Sequence, residues 1–228
     1  LYQATSGKEV LLFAELRVRS TSMETADLIV LRKNLKGLFF TLEGDYPGFW
    51  ARIVRGDSIE CVVPHHKDAL RIAILIKLFV KMQVSEFDCS EMLRRYGIRF
   101  SIGVAEIKFA DKEEDIIDGP AIYMSGRNLD EISHRDFYSV FEIENAPKPL
   151  SNLLDSYVAM ISQLVDSYSV KQSEVIFYKL MGLKEKEISE RLGIYQSSVN
   201  MRSRSAQWGL VNTAIKDFEG FKYEEICG

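Results

Sequence analysis

The chain has 228 residues, 46% hydrophobic and 27% charged, with a formal net charge of −4. That balance excludes a disordered tail, a collagen-like repeat and a disulfide scaffold, and the length allows one large domain or a medium one with a small companion. Cys61, Cys89 and Cys227 form no CxxC pair and lie at no zinc-finger spacing from His65, His66 or His134, so reduced thiols in a cytoplasmic protein are expected. Arg71, Lys77 and Lys81 interrupt the most apolar stretch, Ala69 to Met82, and exclude a membrane span there. No basic segment followed by an apolar one opens the chain, so no secretory signal is expected. Leu1 stands where a start Met would, the expectation being a trimmed or incomplete beginning.

Glu9 to Leu16 is short and mostly apolar, as a buried strand is. Thr21, with Glu24 at capping-box spacing, opens a helix whose Leu28, Leu31, Leu35, Leu38 and Phe39 recur on one face. The turn-rich segment Gly44 to Gly48 ends it. Phe49 to Val54 and Ser58 to Val63 read as strands joined through Arg55-Gly56-Asp57. Pro64 closes the second strand, and His65-His66 marks the start of a helix running from about His66 to Gln83. That helix is apolar on nearly all sides, so it is expected to lie against a sheet. Ile98, Phe100, Ile102 and Val104 alternate with Arg99, Ser101, Gly103 and Ala105, the period of a strand with one buried face. Asp111 to Asp118 reads as a solvated acidic loop, Gly119 to Ile132 as a helix, and Phe137 to Ile143 as a strand.

The order so far contains β-α-β-β-α-β, a hairpin between two crossovers, which is the split βαβ or ferredoxin-like arrangement. Pro147 and Pro149 then punctuate the chain, since the residue before a proline is pushed out of the helical region. Beyond them the pattern is helical: Leu150 to Asp166, Gln172 to Met181, Glu185 to Leu192 and Gln196 to Gln207. The expected fold class is α+β, a ferredoxin-like N-terminal domain over 1–146, a linker helix over 147–170 and an all-α domain over 171–228. Met181, Met201 and the two tryptophans, in no cofactor-like grouping, read as core.

Between Lys171 and Lys216 the chain carries eight basic residues (Lys171, Lys179, Lys184, Lys186, Arg191, Arg202, Arg204, Lys216) against four acidic ones (Glu174, Glu185, Glu187, Glu190). Clustered cations meet backbone phosphates. Within this region a short helix bearing Ile188 and Leu192 stops at Gly193, Ile194 packs under the turn, and a second helix begins at Gln196-Ser197-Ser198, with Val199 six residues after Gly193. Gly193 suits the left-handed conformation that a sharp turn demands. The spacing is that of a helix-turn-helix, and the stretch resembles the helix-turn-helix of sigma-factor region four, with Ser189 where many such motifs carry Ala. The groups that point to double-stranded DNA are Gln196, Ser197, Ser198, Asn200, Arg202 and Arg204 on the second helix, with Lys184 and Lys186 on the first. The same pattern also describes a plain αα-hairpin used for packing or for binding a protein.

Four N-terminal segments, LLFAELRVRST (11–21), RGDSIECV (55–62), RFSIGVAEI (99–107) and DGPAIYMSGRNLDEI (118–132), resemble the class III nucleotide cyclase palm, and more closely that of bacterial SatD-like proteins. That resemblance implies a palm followed by a C-terminal helix-turn-helix, with transcription regulation and a possible homodimer. It implies carboxylates at Glu15 and Asp57 holding Mg²⁺ or Mn²⁺ with a nucleoside triphosphate, and Arg127 stabilising the transferring phosphate. Glu15 stands where the family usually has Asp, Tyr123 where it has Asn, and Ala51-Arg52-Ile53-Val54 holds no base-recognising lysine. The expectation is a DNA-binding regulator with a degenerate, non-catalytic palm that dimerises or senses a nucleotide. A metal-dependent nucleotidyl cyclase and a protein-binding adaptor are the alternatives.

Overall fold

The computed structural model describes residues 9–16 (backbone alone), 24–54, 58–114, 116–132 and 138–222. It is a mixed α and β structure around one small sheet. Strand β1 (Glu9–Leu16) is followed by helix α1 (Thr25–Asp45), the pair β2 (Trp50–Val54) and β3 (Ser58–Val63), helix α2 (Ala69–Gln83), a short α3 (Glu91–Tyr96) and β4 (Ile98–Ala105). A ribbon of β5 (Phe109–Asp111) and β6 (Ile116–Asp118) leads to α4 (Pro120–Glu131) and β7 (Ser139–Ile143). The remainder is helical: α5 (Lys148–Asp166), α6 (Val170–Leu180), α7 (Glu185–Leu192), α8 (Gln196–Ser205) and α9 (Trp208–Gly220).

The main sheet runs β2-β3-β1-β4-β7. β1 lies at its centre, antiparallel to both β3 and β4, β2 is antiparallel to β3, and only β7 joins in parallel, alongside β4. Side-chain alternation sorts the two faces. Ile59, Cys61, Val63, Ile98, Phe100, Ile102, Val104, Phe141 and Ile143 join the large core with α1 and α2. The opposite faces of β4 and β7 lie under α4. Ser101, Gly103 and Ala105 are therefore buried too, not turned to solvent as the alternation suggested. A Cβ at Gly103 would meet the Ala121 carbonyl oxygen at 3.2 Å and Met124 Cε at 3.1 Å, which is why the crossing helix approaches at a glycine.

Segment 111–118 also departs from its expected solvated loop. Its ends pair as the β5–β6 ribbon, and Ile117 is buried beside Trp50, Val62, Ala121 and Met124. Thr21, expected to open α1, and the turn Arg55-Gly56-Asp57 lie outside the described residues; α1 is described from Thr25, with Leu31, Leu35, Leu38 and Phe39 buried. Two helices, α3 and α9, have no counterpart among the expected elements.

Helix α2 is the centre of the molecule. It packs on the sheet with one side and on α1, α5, α6 and α9 with others, and nine of its apolar residues are buried. Full burial of one such Leu or Ile side chain stabilises by about 1.5–3 kcal/mol. Lys77 and Lys81, which the sequence placed among the interruptions of an apolar helix, are buried as well. Lys77 Nζ lies 2.8 Å from Asp166 Oδ1 and donates to the Tyr96 and Ile98 carbonyls at 2.9 and 2.7 Å. Lys81 Nζ donates to the Asp166 and Val165 carbonyls at 2.6 and 3.3 Å, closing the C-terminal end of α5, where the helix dipole favours a cation. Burial raises the Asp166 carboxyl above the ordinary carboxylate range against the pull of both lysines. Burial likewise pushes the Lys81 ammonium down to about 8.

The Pro147–Pro149 break is a turn in the chain and not a gap in the core. One hydrophobic cluster runs from α1 and the sheet through α2 into α5, α6 and α9, including Leu35, Phe141, Val158, Ile176, Ile215 and Phe218. The Arg71 Nε donates to Glu219 Oε1 at 2.6 Å, and Phe141 meets Phe218 edge-on at 5.4 Å between centroids.

Candidate nucleic-acid interface

Helices α6, α7 and α8 share a small core of their own: Val175, Ile188 and Val199, fully buried, with Tyr178, Leu183, Leu192 and Ile194 around them. Each helix start is set locally. Ser169 and Gln172 cap α6 reciprocally, and the Glu187 carboxylate accepts from the Lys184 backbone N–H at 2.7 Å to start α7. Helix α7 ends at Gly193, whose φ of +63° is the left-handed turn expected there, and the Ile194 N–H donates back to the Ser189 carbonyl at 3.1 Å. The Ser189 hydroxyl donates within α7 to the Lys186 carbonyl at 2.8 Å, so Ser in place of Ala leaves no polar group unpaired at the turn. The chain then extends through Tyr195 and enters α8.

The sides of α8 are sharply different. Val199 and Ser203 point inward and are buried, whereas Gln196, Ser197, Asn200 and Arg204 are exposed. Ser198 is half-buried. Arg202 is also half-buried and turned to Glu174 on α6, with Nη1 to Oε2 at 3.3 Å, so it braces the helix pair. Met201, expected in the core, is 65% exposed, and Tyr195 is 84% exposed. Met201 lies off the Val199–Ser203 stripe, so the helical period turns it outward once that stripe is fixed. Lys184 and Lys186 are exposed on α7, Lys186 within 4.0 Å of Glu190. Lys179 pairs with Glu185 at 2.8 Å, and Arg191 lies over the Tyr178 ring at 4.9 Å. The exposed cations of the segment are thus Lys171, Lys184, Lys186, Arg191, Arg204 and Lys216.

At the sheet, the pairing of β1 sets Glu15 opposite Ser58 on one side and Arg99 on the other. Ser58 is the chain neighbour of Asp57, but Asp57 itself and the Glu15 side chain lie outside what is described. Among the described residues no group of three or more His, Cys, Asp or Glu is arranged to hold a metal ion. Arg127 is exposed on α4 and, with Tyr123, Glu142 and Lys148, lines an open groove of about 640 Å³ between α4, the end of β7 and the start of α5. The Tyr123 hydroxyl donates to Asp118 at 2.8 Å, and Asn128, buried next to Arg127, donates to Glu142 at 2.6 Å. Arg52, in the segment without a base-recognising lysine, is consumed by a cross-strand pair with Glu60.

These features define a mixed α and β protein with a central, largely antiparallel sheet and a C-terminal group of helices. No helix among the described residues is long and apolar enough to cross a membrane. No protein-family model matches the chain, and no curated protein matches it by sequence. Among solved structures, that of a bacterial light-regulated adenylyl cyclase is 13% identical and covers 60% of this chain and 76% of its own, at a TM-score of 0.41. A neighbour that distant leaves both fold and chemistry to be argued from this chain's own residues.

Proposed function

We propose that the protein binds double-stranded DNA as a regulator, with α7 and α8 acting as a helix-turn-helix and α8 entering the major groove. The observation that carries this reading is the two-sided character of α8, anchored by Val199 and Ser203 while Gln196, Ser197, Asn200 and Arg204 stand exposed. Any surface helix turns polar groups to water, but this face sits at the start of the second helix of a helix-turn-helix and carries amides, hydroxyls and an arginine, the groups that base edges and phosphates bind. The N-terminal part is the frame. Its strand order β2-β3-β1-β4, antiparallel throughout with crossovers through α1 and α2, supports reading it as a ferredoxin-like palm. A homodimer built on such a frame would present two α8 helices to a pseudo-palindromic site.

The test is fluorescence anisotropy of a labelled duplex pool with the full chain at two salt concentrations. Binding that weakens with salt, and that loses about one unit of salt slope in Arg204→Ala, is the expected outcome. Arg204 is the informative position because Arg202 is tied to Glu174. Absence of salt-sensitive binding to any duplex would sink the reading and leave the helices as an adaptor surface.

A second reading, a metal-dependent phosphoryl-transfer site, is favoured by the register that sets Glu15 opposite the neighbour of Asp57. It predicts that Mn²⁺ or Mg²⁺ with a nucleoside triphosphate raises the melting temperature and that Asp57→Ala removes the rise. An unchanged melting curve with all four triphosphates would eliminate it.

A further inference from the structure

The outward face of α8 has a definite chemistry, and it is not evenly suited to the four base pairs. Gln196, Ser197, Asn200, Met201 and Arg204 are exposed at positions i, i+1, i+4, i+5 and i+8, one continuous face above buried Val199 and Ser203. Its first six residues, Gln196 to Met201, contain no Arg, Lys, Asp or Glu. The two amides stand one helical turn apart, and Met201, exposed on the same face, follows the second of them in the chain. The only outward cation on the helix, Arg204, comes in the last turn, and Arg202 is held by Glu174.

In the major groove, guanine is read chiefly by a bidentate Arg or Lys on O6 and N7, and cytosine N4 by a carboxylate. Adenine is read by a bidentate Asn or Gln on N6 and N7, and the thymine C5-methyl by an apolar contact. Base edges are met by the N-terminal part of a recognition helix, and that part of α8 offers amides, hydroxyls and a methyl. We infer that α8 reads A·T pairs directly in the major groove: Gln196 and Asn200 engage adenine edges, Met201 covers a thymine methyl, and Arg204 supplies sequence-independent phosphate attraction. This inference rests on the proposed DNA-binding function and deepens it by naming the sequence class recognised.

Selection of the full-length protein on a randomised duplex library, followed by anisotropy on the best site, tests it. A·T pairs are expected at the contacted positions, each A·T-to-G·C replacement weakening binding about 5- to 150-fold. Inosine·cytosine pairs, which match G·C in the major groove and A·T in the minor groove, are expected to weaken binding like G·C. Uracil in place of thymine should weaken binding by wild type but not by Met201→Ala. Asn200→Ala should flatten the preference at one base pair and leave the salt slope unchanged, whereas Arg204→Ala should weaken all sequences alike. Because these side chains are exposed, circular dichroism of each variant is expected to match wild type. A G·C-rich selected site would overturn the inference, as would tight binding retained on inosine·cytosine duplexes, which signals reading through groove shape. Salt-sensitive binding of equal strength on every sequence would overturn it while leaving the DNA-binding reading standing, and no duplex binding at all would overturn both.

Discussion

Helices α2 and α8 both carry cations in the sequence, and the structure uses them in opposite ways. In α2 the apolar surroundings are so complete that Lys77 and Lys81 must find their partners inside, which they do on Asp166 and on four backbone carbonyls. In α8 only Val199 and Ser203 are buried, and most of the polar groups face outward. A buried cation is an internal fastening whose removal is felt as stability. An exposed one contributes little to folding and is available to a partner. The same residue type therefore predicts a folding defect in one helix and a binding defect in the other.

The largest effect that would sharpen this contrast is at Asp166. Asp166→Asn leaves the Lys77 ammonium buried without its counter-charge, and the expected loss is about 3–5 kcal/mol in chemical denaturation. Combining it with Lys77→Met should recover part of that loss, because the uncompensated charge is then gone. Equal destabilisation in the single and double variants would break the account of α2.

A pH experiment isolates Lys81. Its folded-state value near 8, against the ordinary 10.5, arises from burial, with Asp166 opposing the shift and Lys77 and Arg95 reinforcing it. Between those values the unfolded chain holds a proton at Lys81 that the folded chain has released, so the Lys81 contribution to stability rises with pH across that window. The gain is about 3 kcal/mol across that window and should be absent from Lys81→Met. Burial raises Cys61 from its ordinary 9.0 and Tyr46 and Tyr168 from their ordinary 10.0, so these groups work in the opposite direction above those values, and the difference between the two proteins is the readout.

Gly193→Ala comes next. A φ of +63° costs a residue with a Cβ about 1–2 kcal/mol, although no atom stands within 4 Å of the position that a Cβ would take. The expected result is modest thermal destabilisation with faster amide exchange in α7 and α8. Smallest for stability is Arg204→Ala, within about 0.5 kcal/mol of wild type. Its effect should appear in DNA affinity alone, and a large loss of stability there would refute the contrast between the helices.

How much of this was legible in the sequence follows from the range of the interactions. Strand Glu9–Leu16, strand Ser58–Val63 and helix Glu185–Leu192 were readable to the residue, because each is announced by its own apolar pattern and a local stop. The burial of Ser101 and Gly103 was not, since it depends on α4 crossing β4, and nothing within the strand reports that. Asp111 to Asp118 looked like a loop because acidic residues outnumber the two isoleucines, yet Ile117 has a cluster to join. On the candidate interface, Gln196, Ser197, Asn200 and Arg204 were visible from the turn spacing. The diversion of Arg202 to Glu174, 28 residues earlier, was not, and neither was the exposure of Met201 until the inner stripe of α8 was fixed.

The clasp between Arg71 and Glu219 bears on the order in which the molecule is made. Its two ends are 148 residues apart, among the longest-range contacts of the chain. Closing a loop of that length costs entropy that only the finished contacts return, so it belongs late in folding. A ribosome releases α2 long before α9, and Val211, Ile215 and Phe218 have their apolar seat only once α2 and β7 are assembled. The helices that carry the outward face of α8 are thus finished by a segment that waits for the sheet. The expected consequence is that readiness to bind comes after maturation of the whole chain, and not with synthesis of the helix pair.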